Sequence, residues 1–362
     1  MRSSVLLLAA SSVTASVLRA VNLPSSSFPS FHTLSLEDAI AGADLVNGPA
    51  ELNSTNTQAP EAAVPMVMTS AAATCASNPN VRFEWRQFST SDRLAFIAAI
   101  KCLMNKPPSG NFAPATNRYE DLARLHQMYM PNVHGNAKFL VWHRYYLWTF
   151  EQVLRDECGF NRAFPWWDET LDAGHFSASD MFTSPDYFGH LPGAVNGNPV
   201  CITSGAFAGL TAHIGPGSSN TPHCLSRSGD ASLTAQCNSN FVNTCNSRTS
   251  YADMESCSED GPHAYGHNGI GGVMADVSAS PSDPIFWMHH TFVDHSFRIW
   301  QNYDPSSRTT SINGVDHNGN ALTMDTTIYM GGIRPDITIG DIMNTLGGVS
   351  IGGVPFCYKY TY

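Results

Sequence analysis

Fourteen histidines in a chain of 362 residues, against only four lysines, are the side chains with the most chemistry to offer. Six of them form two groups of three, His126, His134 and His143, then His263, His267 and His290, on or beside stretches of helical character. His263 and His267 stand four apart, which on a helix puts both imidazoles on one face. Two imidazoles from one helix and a third from another make a three-nitrogen site, and a bundle can bring two such sites face to face. Imidazole suits copper, zinc, iron and nickel. A zinc protease would carry Glu directly after the first His of the pair, where this chain has Ala264. A di-iron bundle would need Glu-x-x-His, and none of the ten glutamates has a histidine three residues on. Three neutral nitrogens per metal and no carboxylate match copper best and leave positions open for dioxygen. Three-histidine sites also hold catalytic zinc, so the residues alone leave a zinc hydrolase open.

The other histidines read differently. His32, His175, His190, His213, His223 and His317 stand alone in loops and read as ordinary polar residues. His289 adjoins His290, and neighbours on a helix point about 100° apart, so one of them faces the metal and the other stands behind it. His295 follows Asp294 and reads as a surface or supporting group.

Four helices must position these groups. The first is 89–105, capped by Ser89 or Thr90, with Leu94, Ile97, Ile100 and Met104 at helical spacing and Pro107-Pro108 as its stop. The second runs from about Asn117 to Tyr129, ending before Pro131. The third runs from about Asn136 to Cys158, with Gly159 as C-cap, and the fourth from about Asp283 to Asn302, with Pro284 in its first turn. A shorter helix begins near Pro262. Gly-, Ser- and Asn-rich stretches separate the third from the fourth. The reading is a mainly α fold, a four-helix bundle core with long loop-rich excursions.

Residues 1–20 read as a signal peptide: Arg2, then the apolar run Val5–Ala10, then small residues around Ala15. Residues 21–74 are rich in Ser, Ala, Pro and Thr and read as a propeptide or flexible arm, leaving 75–362 as the catalytic domain. The glycosylation acceptor Asn53-Ser54-Thr55 falls in the arm. Nine cysteines in a secreted, extracellular chain point to disulfides, with Cys201, Cys224, Cys237, Cys245 and Cys257 stapling a loop-rich stretch. The count is odd, so at least one cysteine is free or pairs between chains. Charged residues are 14% of the chain, where roughly 25% is usual, and the net charge is -11 with no basic block. That excludes a nucleic-acid partner. No later run approaches the ~18 apolar residues of a membrane span. The oligomeric state is not legible.

The residues now on the page resemble the tyrosinase and catechol oxidase (polyphenol oxidase) family of dicopper proteins, in its short secreted fungal branch. The resemblance rests on Leu125-His126, His143-Arg144-Tyr145-Tyr146-Leu147-Trp148-Thr149-Phe150-Glu151, Phe164-Pro165-Trp166-Trp167-Asp168, His263-x3-His267, Asp283-Pro284-Ile285-Phe286-Trp287-Met288-His289-His290, Val293-Asp294 and Tyr358-Lys359-Tyr360. It covers about Cys75 to the C-terminus. By position it implies two copper ions, the first on His126, His134 and His143 and the second on His263, His267 and His290, with His289 behind. It implies Phe286 packed against the second site and Asp294 orienting an imidazole from behind. Dioxygen is then the co-substrate and small phenols are the substrates: catechols are taken to o-quinones and dioxygen to water.

The resemblance also implies that Glu259, four residues before His263, holds a water that deprotonates monophenols. In efficient monophenolases the residue after the first histidine of the second site is often Asn; here it is Ala264, and Asn268 follows His267 instead. The expectation is o-diphenol oxidation over monophenol hydroxylation, with a full tyrosinase, an o-aminophenol oxidase and a hemocyanin-like oxygen binder as alternatives. Asn132 replaces the cysteine that some members join to a copper-ligating histidine, so no thioether is expected. The chain stops soon after Tyr360, without the C-terminal domain that covers the site in latent relatives. Any latency therefore falls to residues 21–74 or to metal loading.

Overall fold

The computed structural model describes residues 20–47 and 70–362. The signal-peptide segment before Ala20 and the glycosylation acceptor at Asn53 lie outside these. The fold is mainly α. All four expected helices form, as Thr90–Met104, Arg118–Val133, Phe139–Cys158 and Ile285–Tyr303. Ser89 caps the first by accepting the Asp92 N–H at 3.2 Å. Asn117 caps the second in the same way through the Glu120 N–H at 3.0 Å. The third ends on Gly159, whose φ of 65° needs a residue without Cβ.

One expectation about helix limits is corrected and another is extended. The second helix does not stop before Pro131 but runs through it to Val133. Proline so close to the end forfeits only its own N–H bond, and Val133 beyond it is buried. The short helix near Pro262 is the end of a longer helical stretch. Tyr251–Ser258 leads through a wide turn, Glu259–His263, into Ala264–Ile270. Gly261, with ψ at -119°, and Pro262 break the regular ladder there. Such wide turns often occur at functional sites.

The third and fourth helices pack through aromatic rings. Phe150 stacks on Trp287 at 3.7 Å and 8°. Thr90–Met104 lies outside this pair, against the second and third helices, and the disulfide Cys102–Cys158 ties it to the end of the third. Three short parallel strands bring distant segments together: Asn80–Glu84 lies between Tyr358–Tyr360 and Pro165–Trp166.

Behind that sheet sits a buried ion cluster. Arg82 bonds Glu151 at 2.8 Å, reaches Asp294 at 3.3 Å and stacks on the Tyr358 ring at 3.6 Å. Asp294 also accepts from Arg144 Nε at 2.6 Å and from the Tyr358 and Tyr360 hydroxyls at 2.6 Å each. The closing tyrosine motif is therefore a clamp on the third and fourth helices.

Four disulfides form, Cys75–Cys357, Cys102–Cys158, Cys201–Cys224 and Cys245–Cys257, and Cys237 stays a free, buried thiol. The segment read as an arm is structured over 21–47 and includes the helix Leu36–Asn47. Its Ala39 is fully buried against Phe241, Cys245 and Cys257.

Candidate metal centre

The helix Arg118–Val133 carries His126, its C-cap is His134, and Phe139–Cys158 carries His143. The three rings lie 4.8–5.4 Å apart, centre to centre. On the other side His263 precedes Ala264–Ile270, His267 lies in it, and His290 comes from Ile285–Tyr303. These rings are 4.6–5.4 Å apart. The two sets face each other: His290 stacks on His143 at 4.6 Å and 21°.

Four of the six rings are oriented by backbone carbonyls, not by a carboxylate. His126 Nδ1 meets the Ser278 carbonyl at 2.9 Å, and His143 Nδ1 meets that of Phe139 at 2.8 Å. His263 Nδ1 meets the Glu259 carbonyl at 2.9 Å, and His267 Nδ1 meets that of Met274 at 2.7 Å. This turns each Nε2 inward. His126 and His143 bring their Nε2 atoms to 3.3 Å, and His267 and His290 bring theirs to 3.2 Å. The Nε2 atoms of His134 and His263 are buried without a hydrogen-bond partner among the described residues. Burial drives the whole set toward the neutral form, His126 down to about 4 and the others well below the usual histidine value, with neighbouring imidazoles adding to the effect. Buried, neutral, mutually facing nitrogens with no carboxylate among them fit a pair of copper ions.

His289 lies beside His263 and His267 and is close enough to count as a fourth nitrogen of that set. Its Nδ1 is bound to the buried Glu169 at 2.7 Å. Space for its ring depends on Gly266, where a Cβ would come within 2.4 Å of the ring. Phe286 stacks on His290 at 4.0 Å and also approaches His126. His295 is buried and stacks on Trp166 at 3.8 Å, so it is not a surface group.

Asp294 requires a correction. It reaches none of the six imidazoles, because both its oxygens are taken by Arg144, Arg82 and the two tyrosines. His290 Nδ1 has no hydrogen-bond partner among the described residues.

Glu259 touches both sets. Its carbonyl orients His263, and its carboxyl oxygens accept the Gly135 N–H at 2.9 and 3.0 Å, next to His134. Burial pushes its carboxyl up to about 8, against the Gly135 N–H and Glu255, which favour the ionised form. Ala264 is buried. Asn268 does not offer its amide to the site. Its Oδ1 accepts the Phe31 N–H at 3.1 Å and its Nδ2 donates to the Phe31 carbonyl at 2.9 Å. Phe31 then lays its ring on His267 at 4.2 Å and 24°.

The common central domain of tyrosinase matches residues 116–303, which span all six histidines. The chain belongs to the tyrosinase family. A tyrosinase-like protein of Diaporthe leptostromiformis is 32% identical to this chain over 317 residues, covering 78% of each chain. Tyrosinase P of Aspergillus terreus is 29% identical over 337 residues, covering 78% of this chain and 92% of its own. The structure of a polyphenol oxidase variant from Thermothelomyces thermophila superposes with a TM-score of 0.71 at 26% identity, over 79% of this chain and 90% of that one. The chain is thus a tyrosinase-family oxidase whose fold implies a dicopper centre.

Reading the sequence missed three kinds of group at this site. The orienting carbonyls of Phe139 and Glu259 lie four residues before His143 and His263, so helix geometry alone points to them. Glu169 follows the Phe164–Asp168 string but carries no local sign of its partner. Phe31 sits in a segment whose composition gives no helical period.

Proposed function

We propose that this chain is a secreted dicopper oxidase of o-diphenols, with weak monophenol hydroxylation. The observation that carries the reading is the stack of His290 on His143, which brings two all-imidazole sets face to face. His126, His134 and His143 would hold one copper, and His263, His267 and His290 the other. The coppers would supply the electron path from catechol to dioxygen. Two catechols each give up two electrons and two protons, and one dioxygen takes up all four of each to become two waters. The chain's part is to hold six neutral nitrogens in place and to seat the aromatic ring beside His267. Four disulfides fit a secreted chain, and no described helix is long and apolar enough to cross a membrane.

Glu259 is the candidate base for the monophenol reaction, and Ala264 leaves the position after His263 without an amide to assist it. Asn268 is committed to the Phe31 backbone, which supports a weak monophenolase.

A second reading has one observation in its favour. A 27% identical relative from Emericella nidulans, matched over 79% of this chain, is an N-acetyl-6-hydroxytryptophan oxidase. An o-aminophenol or hydroxyindole would then be the substrate.

The test is a parallel assay of the copper-loaded chain on tyrosine, 4-methylcatechol, o-aminophenol and 6-hydroxyindole. Catechol turnover at least tenfold above tyrosine supports the proposal. Tyrosine hydroxylated as fast as catechol is oxidised overturns it. Reversible dioxygen uptake without quinone would make the chain an oxygen carrier.

A further inference from the structure

Across the helix Ile285–Tyr303 from His290 lies a cavity of about 450 Å³. Sites for small molecules usually measure roughly 300–1,000 Å³. Phe292, His295, Ser296, Ile299 and Tyr303 line it at helical spacing, so one face of the helix forms its wall. His290 stands about 160° round the helix from Phe292 and points the other way. A gap of about 10 Å³, bordered by Val242, Phe292, Ser296 and His263, lies between the cavity and the second histidine set. It has room for a water and not for a ring.

The lining is aromatic and acidic. Trp166 and His295 stack at 3.8 Å and 14°, and Tyr362 brings a third ring to 5.2 Å from His295. Leu171, Tyr303 and Tyr362 leave large apolar surfaces exposed at the rim. His295 Nε2 and Ser296 Oγ are buried with no hydrogen-bond partner among the described residues. The charged side chains of the lining are Glu84 and Asp168, with no Lys or Arg beside them. Arg86, from outside the lining, bonds Glu84 at 2.8 Å. Asp168 spends its hydrogen bonds on one oxygen: Oδ1 accepts the Thr170 N–H at 3.1 Å and the Thr170 hydroxyl at 2.6 Å. Burial pushes its carboxyl up, against Thr170 and Arg86, so a further cation beside it would be welcome.

We propose that this cavity is a second ligand site, separate from the metal centre, that takes a small arylalkyl ammonium. The ammonium bonds Asp168 through Oδ2, and the ring lies among Trp166, Leu171 and Tyr303. Tyrosine and tryptophan faces hold both halves of such a ligand, the ring by stacking and the charge by its attraction to the ring face. The site is independent of what the metal centre oxidises.

The test is calorimetric titration of the full, copper-loaded chain with 2-phenylethylamine, which has no ring hydroxyl to oxidise. The neutral 2-phenylethanol and the anionic 3-phenylpropionate serve as partners of the same size. Each titration is run with and without saturating azide, a ligand of copper. The expected result is one amine per chain with Kd below about 1 mM. The alcohol and the acid should bind about tenfold more weakly or worse, as loss of a charged hydrogen bond requires. Azide should leave the amine's affinity unchanged. Asp168→Asn keeps the oxygen that receives the Thr170 N–H and should lose the preference for amine over alcohol. Leu171→Arg changes an exposed side chain and sets a cation at the rim, so it should weaken the amine by a similar factor with the fold intact. If Asp168→Asn does not fold, Leu171→Arg carries the test alone. No binding at about 10 mM amine, a limit well above that Kd, overturns the proposal. So does equal affinity for amine and acid, displacement of the amine by azide, or wild-type affinity in Leu171→Arg.

Discussion

Glu259 accepts the N–H of Gly135 through both carboxyl oxygens, at 2.9 and 3.0 Å, and so ties the segment before His263 to the residue after His134. One side chain thus fixes the spacing of the two histidine sets, whatever it does to a proton.

This double duty separates two substitutions. Glu259→Gln keeps an oxygen to accept the Gly135 N–H and loses only the capacity to take a proton. It is expected to keep catechol oxidation within about threefold and to lose monophenol hydroxylation by the factor of 10²–10⁴ typical of a general base. Glu259→Ala frees Gly135 and should weaken copper retention at the His134 side. Steady-state rates on tyrosine and 4-methylcatechol, with copper analysis of each protein, check both. Equal losses on both substrates in Glu259→Gln would remove the base assignment.

His289 and His290 make a second contrast. His290 contacts the opposite set through His143, while His289 binds Glu169. His290→Ala is expected to lose the second copper. His289→Ala should keep two coppers but lower the Tm, because it leaves the buried Glu169 carboxyl without its partner. Metal analysis and calorimetry on both variants decide. One copper in His289→Ala and two in His290→Ala would exchange their roles.

Asp294 tests the fold rather than the chemistry. Burial alone would raise its pKa, but Arg144 first and then Arg82 outweigh it, and the carboxyl lies below the usual range. A carboxyl depressed on folding stabilises fully above its unfolded pKa of about 4, and that contribution is lost as pH falls through the folded value. Asp294→Asn should destabilise by about 3–5 kcal/mol at pH 7, the usual effect of removing one partner of a buried ion pair. It should also flatten the loss of Tm as pH falls below about 4. Calorimetry at pH 7 and in that acid range measures this. An unchanged Tm at pH 7 would contradict the clamp.

The cysteines give a short check. Cys237 is buried beside Glu169, and burial with that neighbour pushes its thiol well up, so it should be inert to a thiol reagent in the native protein. Denatured without reductant, the chain should show one reactive thiol. Three or more would break the disulfide assignment.

Much of the centre was legible because its information is local. The spacing of His263 and His267 and the aromatic string around His143 specify helices and faces by themselves. Gly159 and Ser89 announced their caps because each answers a need of the adjacent backbone. What stayed hidden depends on contacts distant in sequence. Asp294 looks like a group behind His290, yet Arg144 lies 150 residues away and claims it. Asn268 looks like a tuning residue of the site, yet Phe31 from 237 residues upstream occupies its amide. The histidine excess could not tell His289 from His290, since both are buried and adjacent and only Glu169 and His143 separate them.

The central claim is that six imidazoles in two facing sets hold two coppers. The most direct measurement is copper per chain, by mass spectrometry of the metal after loading and gel filtration, for wild type, His143→Ala and His290→Ala. The expected result is two coppers in the wild type, and in each variant at most one together with loss of catechol oxidation. A wild type that holds a single metal, or variants that keep two coppers and full turnover, would contradict it.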